Sequence, residues 1–260
     1  MKKILLVIGL SIATGMAFTQ SLNVHQKGGN ITTIKLSDID SITFSVIPVN
    51  GLIAYYPFNG DAKDESGNGN NGTLHGNAKT TDRNGIADAA FSFNGSTDFI
   101  NIPHNAMFNS DSISISCWVY SDIAISGTKG IIYKDANSGD KIREFGLCAG
   151  DGKTGKSVLL ETSDGSNIFS AIGQSAITLG QWYHIVGIIK DGSFIKVYLN
   201  GKLDSEKSIN FSHKKNTNEI VIGKVCSYSD AARFWKGKID DIRIYNRVLN
   251  DQEISLLFAE

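Results

Sequence analysis

Apolar and polar positions alternate along most of the chain, and this pattern predicts short β-strands. The segment from Ser112 to Tyr120 alternates without a break. Four of its apolar residues share one predicted face: Ile113, Ile115, Cys117 and Val119. Trp118 falls on the opposite face, because successive side chains of a strand point to opposite sides. The segment is therefore predicted to be a strand with Trp118 turned away from the main apolar side.

The second half of the chain adds turn signals between such strands. Trp182–Ile189 and Phe194–Leu199 are separated by Asp191-Gly192, and Asn200-Gly201 follows the second of them. Dipeptides of this kind are typical of hairpin turns. Many short strands with turns between them predict an all-β fold, either a sandwich or a barrel.

The end of the chain predicts a last strand and a short helix. Lys238–Tyr245 has strand character, and Asn250 followed by Glu253 resembles a capping box. The spacing predicts one helical turn at Ile254–Phe258.

The N-terminus is typical of a secretory signal peptide. Lys2 and Lys3 precede an apolar run from Ile4 to Ala13, and the small residues Gly15 and Ala17 follow. We predict a signal peptide over residues 1–19, with cleavage near residues 17–20, and a secreted or cell-surface protein. The alternatives are a short buried strand or an anchoring helix. We further predict a short β-rich segment over residues 20–50 and one domain over residues 51–260, with no transmembrane segment.

Composition narrows the classes of partner. Hydrophobic residues make up 41% and charged residues 20%, which allows a buried core. The net charge is −1 and no basic stripe is present, so neither nucleic acid nor an anionic membrane surface is predicted as a partner. The three cysteines, Cys117, Cys148 and Cys226, have no metal-ligand spacing, although one disulfide is possible.

One segment matches a nucleotide-binding motif by its letters. Gly150–Ser157 satisfies the phosphate-loop pattern, which requires a helix directly after it. The apolar run Val158–Glu161 is short and ends at Ser163-Asp164-Gly165. This outline is that of a hairpin, so no nucleotide is predicted to bind.

Catalytic patterns are missing from the sequence, and we predict that the protein is not an enzyme. Sandwich glucanases carry an E-x-D-x-E strand, and no such triple occurs here. Asp240 and Asp241 are adjacent, so on a regular strand they would point to opposite faces. His184 alternates with apolar neighbours and is expected to be a packed side chain. A divergent glycoside hydrolase is the less favoured alternative.

Asp240 suggests a cation site. On a regular strand it shares a face with Ile242 and Ile244, and a carboxylate on a core face must be paired or bound to a cation. Pairing with Lys or Arg, or burial of the other face, remains an alternative. Upstream, the oxygen-rich stretch Asn59–Gly72 begins like an EF-hand loop at Asp64 but has histidine where the twelfth-position Glu is needed, which leaves only a looser calcium site open.

Five motifs resemble the landmarks of laminin-G-like jelly-roll domains in the concanavalin A-like superfamily, and they occur in that family's order. They are the opening run Leu52–Gly72, the second landmark Phe93–Pro103, the strand Ser114–Val119, the hairpin Trp182–Gly201 and the ending Trp235–Leu257. The resemblance spans about residues 51–258 and implies two antiparallel sheets in a jelly roll, one of them concave. It also implies a structural calcium ion held by Asp240, a carbonyl of Gly95, and Asn59 or Asp61.

The resemblance further implies a non-catalytic module that binds carbohydrate outside the cell in the manner of a lectin. The alternative is a protein-interaction or adhesion domain. Trp118 and Trp235 are the sequence candidates for a sugar-stacking surface, since aromatic faces pack on apolar ligand surfaces. For both, the alternative is a packed core aromatic.

Overall fold

The computed structural model describes residues 21–25, 31–35, 47–76, 78–135, 142–150, 157–225 and 233–260. The chain divides into two units, residues 1–46 and 47–260. The predicted signal peptide, the 151–156 portion of the phosphate-loop match and Cys226 lie outside the described residues.

The first unit contains two strands, β1 (Ser21–His25) and β2 (Ile31–Lys35). They pair antiparallel, with Ser21 opposite Lys35. Both strands lie within the short β-rich segment expected over residues 20–50.

The second unit contains fifteen strands and one α-helix among its described residues. They are β3 (Leu52–Tyr56), β4 (Thr73–His75), β5 (Ala78–Thr80), β6 (Ala90–Asn94), β7 (Phe99–Ile102), β8 (Ser112–Ser121), β9 (Lys129–Asp135), β10 (Arg143–Ala149), β11 (Ser157–Ser163), β12 (Ile168–Ala176), β13 (Trp182–Lys190), β14 (Phe194–Leu199), β15 (Lys202–Ser208), β16 (Ile220–Ile222), β17 (Lys236–Tyr245) and α1 (Asp251–Phe258).

These strands form two antiparallel sheets, as predicted. Sheet I has seven described strands in the order β12-β11-β10-β9-β16-β7-β4. Sheet II has eight described strands. Seven of them follow the order β15-β14-β13-β8-β17-β6-β5, and the eighth, β3, pairs with β17 beyond the end of β6.

The main core lies between the two sheets. The four residues of the predicted apolar face of β8, in sheet II, are buried in this core, and Cys117 is one of them. From the opposite side, Leu147 and Leu160 of sheet I approach so closely that a Cβ added at Gly187 of sheet II would lie 3.1 Å from Leu160. Cys117 and Cys148 are buried free thiols.

The hairpins follow the turn chemistry of the sequence. Strands β14 and β15 are joined by Asn200 and Gly201, whose φ angles of 49° and 76° are both positive. This combination suits the tight two-residue turns that match the twist of paired strands. Strand β11 begins at Ser157, so a strand and not a helix follows the phosphate-loop match.

Helix α1 covers the outer face of sheet II. Its predicted capping box is present: the Asn250 side chain accepts a hydrogen bond from the Glu253 N–H, and the Glu253 carboxylate accepts one from the Asn250 N–H. The helix begins at Asp251, three residues earlier than predicted. Ile254 and Leu257 pack with Tyr245 in a second apolar cluster on this face.

Candidate ligand-binding site

Successive side chains of β7 and β16 point alternately to the core and to the outer face of sheet I. Ile100, Ile102, Ile220 and Ile222 are completely buried in the main core. The residues between them, Asn101 and Val221, are direct cross-strand partners. Their side chains therefore point to the face of sheet I that lies away from sheet II.

A cleft of about 450 Å³ lies on this outer face. Its lining is mostly polar and consists of Pro103, His104, Asp135, Thr217, Asn218, Glu219, Val221 and Lys224. The volume lies within the range of small-molecule pockets, and the lining is more polar than is usual for them. We refer to this feature as the sheet I cleft.

Two buried polar atoms at the cleft have no hydrogen-bond partner among the described residues. They are Oδ1 of Asn101, next to Val221, and Nδ1 of the cleft residue His104. Burial, assisted by the charge of Lys134 and opposed by Glu144, lowers the pKa of His104 and so favours its neutral form. A neutral imidazole nitrogen and an amide oxygen can both accept hydrogen bonds. Since both atoms are buried, a ligand hydroxyl group would reach them only after the side chains turn toward the cleft.

An aromatic pair flanks the cleft. The His75 and Phe99 rings stack with centroids 4.2 Å apart and an interplanar angle of 8°. Lys224, which lines the cleft, places its Nζ 3.8 Å from the Phe99 ring centroid. His75 is exposed, so the stack offers a ring to solvent beside the polar lining.

A charged network fixes the position of Asp135 in the cleft wall. Its Oδ2 accepts hydrogen bonds from Nε of Arg143 at 3.1 Å and from Nη2 at 2.9 Å. Arg143 also pairs with Glu161, whose Oε2 accepts the Tyr133 hydroxyl at 3.1 Å. Two N–H groups of one guanidinium thus converge on a single oxygen of Asp135, and these charge-assisted hydrogen bonds hold the side chain in one geometry.

The two tryptophans named from the sequence are not displayed to solvent. Trp118 is 9% exposed and stacks on Phe258 of α1 at 5.9 Å. Trp235 is 0% exposed, belongs to the main core, and its Nε1 donates to the Lys238 carbonyl at 3.3 Å. Neither ring has a free face for a sugar, which favours the alternative that both are packing residues.

The adjacent aspartates of β17 do not follow simple alternation, and the expectation that they point to opposite faces is wrong. Asp240 lies opposite Trp118 and Arg243 lies opposite Ser116, so one extra residue is inserted between them. Asp241 has a φ of 48°, and this β-bulge turns both carboxylates toward the same guanidinium. The bulge also shifts the phase of the strand, so Ile242 and Ile244 face the main core and Asp240 does not share that face.

Each carboxylate oxygen of Asp240 and Asp241 accepts a hydrogen bond. Arg83 Nη1 lies 2.9 Å from Asp240 Oδ2 and 2.6 Å from Asp241 Oδ2. Asp240 Oδ1 accepts the Asp241 N–H at 2.8 Å, and Asp241 Oδ1 accepts the Tyr55 hydroxyl at 3.0 Å. A calcium ion at this pair would have to displace these donors, the Arg83 cation among them.

The remaining residues of the predicted calcium set are not brought to Asp240. A Cβ at Gly95 would lie 2.8 Å from Lys236. Lys236 precedes Asp240 by four residues on β17, a separation of roughly 13 Å in a strand. Asp61 pairs with a neighbouring lysine at 3.1 Å, and Asn59 is exposed. The predicted set does not fit the ion, because Asp240 is paired with Arg83 and Gly95 lies beside Lys236, four residues away along β17. Within the described ranges no group of three or more His, Cys, Asp or Glu side chains could hold a metal ion.

The buried aspartate pair predicts a pH dependence of stability. Burial, and then the charge of Asp241, raises the pKa of Asp240 to about 8, while Arg83 opposes the shift. Between about pH 4 and pH 8 the folded state thus holds a proton that the unfolded state releases. The resulting stability is complete at low pH and is lost as the pH rises toward 8, by at most about 1.4 kcal/mol per pH unit. Urea unfolding across this range should show the slope, and Asp240→Asn should flatten it; equal slopes in both proteins would contradict the assignment.

No helix in the described part of the chain is long and apolar enough to cross a membrane.

Several solved structures share this architecture. Domain 4 of AbnA, an extracellular arabinanase from Geobacillus stearothermophilus solved with arabinotriose, is 24% identical with a TM-score of 0.62, over 79% of this chain and 97% of that domain. The binding domain of Paraclostridial Mosquitocidal Protein 1 is 19% identical with a TM-score of 0.62, over 80% of this chain. The binding domain of botulinum neurotoxin DC, solved with SialylT, is 16% identical with a TM-score of 0.62, over 81% of this chain.

This chain spans about half of each toxin structure, 52% in both cases. At these identities the likeness establishes the fold. No curated protein sequence is significantly similar to the chain.

The family comparison agrees with the motifs. The model of the concanavalin A-like lectin/glucanases superfamily matches residues 94–255, which is more than half of the chain. The protein therefore belongs to the concanavalin A-like lectin/glucanase superfamily, as its laminin-G-like landmarks predicted.

Proposed function

We propose that the protein is a secreted, non-catalytic module that binds carbohydrate in the sheet I cleft. The observation that carries this proposal is the pair of buried polar atoms without partners, on Asn101 and His104, beside the exposed His75–Phe99 stack. A sugar offers hydroxyl groups to such atoms and an apolar ring face to such a stack. The arabinotriose and SialylT complexes of the structural neighbours support the same ligand class.

The first experiment is binding of the mature protein to a broad glycan array, with isothermal titration of any glycan that binds. Asn101→Ala should weaken binding about fivefold, because one hydrogen bond contributes about 1 kcal/mol. His75→Ala should weaken binding by a similar factor through the loss of ring contact, on the order of 1 kcal/mol.

Lys202→Ala is a matched surface control. Lys202 lines a different cleft, formed with Asp204 and Phe258, and its loss should leave glycan affinity unchanged. Equal weakening by Lys202→Ala and Asn101→Ala would contradict the placement of the sugar in the sheet I cleft.

Two other outcomes would redirect the proposal. A folded protein that binds no glycan on the array would favour a protein-interaction or adhesion domain.

Asp135 and Glu219 both line the cleft, and glycoside hydrolysis uses two carboxylates. Release of reducing ends from a bound glycan, abolished by Glu219→Gln, would overturn the non-catalytic assignment.

A further inference from the structure

Arg83 is presented by a rigid turn. The Asp82 carboxylate accepts hydrogen bonds from the Asn84 N–H at 2.9 Å and the Ile86 N–H at 2.7 Å. The Asp82 N–H in turn donates to the Ile86 carbonyl at 3.0 Å. The backbone on both sides of Arg83 is thus held in place, and its long side chain extends to β17.

The Arg83 guanidinium is buried between two carboxylates and an aromatic ring. Its side chain is 8% exposed, against 2% for Asp240 and 12% for Asp241. Its central carbon lies 4.7 Å from the Trp118 ring centroid. The cation therefore joins the 82–86 turn to the last strand and to β8, three segments far apart in the sequence.

We infer that the Arg83 guanidinium does in this chain the structural work that a calcium ion at Asp240 would do, and that the domain needs no divalent cation to fold. A guanidinium and a calcium ion cannot share the pair, because both are cations and the carboxylate oxygens are already occupied by donors. The β-bulge at Asp241 serves this arrangement, since it turns the second carboxylate toward Arg83. The two aspartates would become a cation site only if the guanidinium were removed.

The test begins with the parent protein. Its Tm should differ by less than about 1 °C between calcium and a chelator, since no metal-ligating group among the described residues would stabilise the folded state by binding calcium. A Tm that falls by several degrees on chelation would overturn the inference.

Replacing Arg83 should create a dependence on cations that the parent lacks. Arg83→Met keeps the apolar length of the side chain beside Trp118 and removes the charge. The Tm should fall by roughly 10 °C, because the buried aspartate pair, which carries at least one negative charge, loses its cation. Calcium should restore part of this loss, whereas it should have no effect on the parent.

Terbium luminescence gives a second measurement at the same place. Terbium is a calcium-like ion whose emission is sensitised by a nearby tryptophan, and Trp118 already lies beside the guanidinium. Emission should appear in Arg83→Met, be absent in the parent, and be lost again in Arg83→Met/Asp240→Asn. Arg83→Gln provides the same comparison if the methionine variant does not fold. A folded variant that keeps the parent's Tm, or that responds to neither ion, would overturn the inference.

Discussion

Lys134→Met is expected to lower the free energy of unfolding by about 3–5 kcal/mol, the usual cost of breaking a buried ion pair from one side. The side chains of Lys134 and Glu144 are both 0% exposed and form an ion pair. Lys134 Nζ also donates to Asn109 Oδ1 at 2.9 Å and to the Asn216 carbonyl. Methionine fills a similar volume, so the loss comes from leaving the Glu144 carboxylate buried without its cation. Urea denaturation would measure this loss of unfolding free energy, provided that the free energy falls with urea concentration at the same slope in the parent and the variant.

The double variant Lys134→Met/Glu144→Met separates charge from packing. Removing both charges should recover much of the loss, because no uncompensated carboxylate remains. Lys196→Met is the exposed control: its Nζ lies 3.4 Å from Glu206, and these side chains are 22% and 43% exposed. It should cost less than about 1 kcal/mol. A Lys134→Met protein as stable as Lys196→Met would contradict the buried pair.

This result bears on the proposed site, because Lys134 immediately precedes Asp135 of the cleft wall in β9. The ion pair therefore anchors one side of the sheet I cleft from the interior. Because Lys134 also donates to the carbonyl of Asn216, next to the cleft residue Thr217, its loss is expected to weaken glycan binding as well as stability.

Trp235→Ala is the second large effect, with an expected loss of about 3–5 kcal/mol. The indole is completely buried in the main core, and alanine leaves a cavity that rigid sheets on both sides cannot fill. Trp182→Ala is the matched control, because the Trp182 ring is partly exposed and contacts Tyr120 at 5.6 Å. It should cost about 1 kcal/mol, the centre of the range for ordinary substitutions.

The same pair of variants tests the role that the sequence assigned to Trp235. A core residue lowers stability and leaves the affinity of the remaining folded protein unchanged. If Trp235→Ala were as stable as the parent but failed to bind glycan, Trp235 would be a ligand contact and its burial would be wrong.

Local chemistry in the sequence was sufficient to predict the all-β class and several details of the fold, and the family resemblance added the two-sheet jelly roll. Alternation in Ser112–Tyr120 identified the core face of β8, because residue spacing alone decides which side chains share a face of a strand. Turn dipeptides such as Asn200-Gly201 located a hairpin, since few residues tolerate positive φ. The Asn250 and Glu253 capping box located the helix, because its hydrogen bonds join residues three apart.

The candidate site could be read from the sequence only in part. Alternation in the second landmark places Phe99 and Asn101 opposite the buried Ile100 and Ile102, so their outward direction was available as a signal. The contact between Phe99 and Lys224 could not be predicted in this way, because it joins segments more than a hundred residues apart.

The sequence by itself determined the all-β class, the family and the approximate bounds of four strands, β8, β13, β14 and β17, since these depend on residues close together along the chain. Only the tertiary structure decided what the charged and aromatic groups do. The bulge at Asp241 reversed the expected direction of a carboxylate, and the packing of α1 covered Trp118. Arg83 came to Asp240 from 157 residues away. Such pairings depend on sheet register and on burial, which are properties of the whole fold and are not encoded in any short segment.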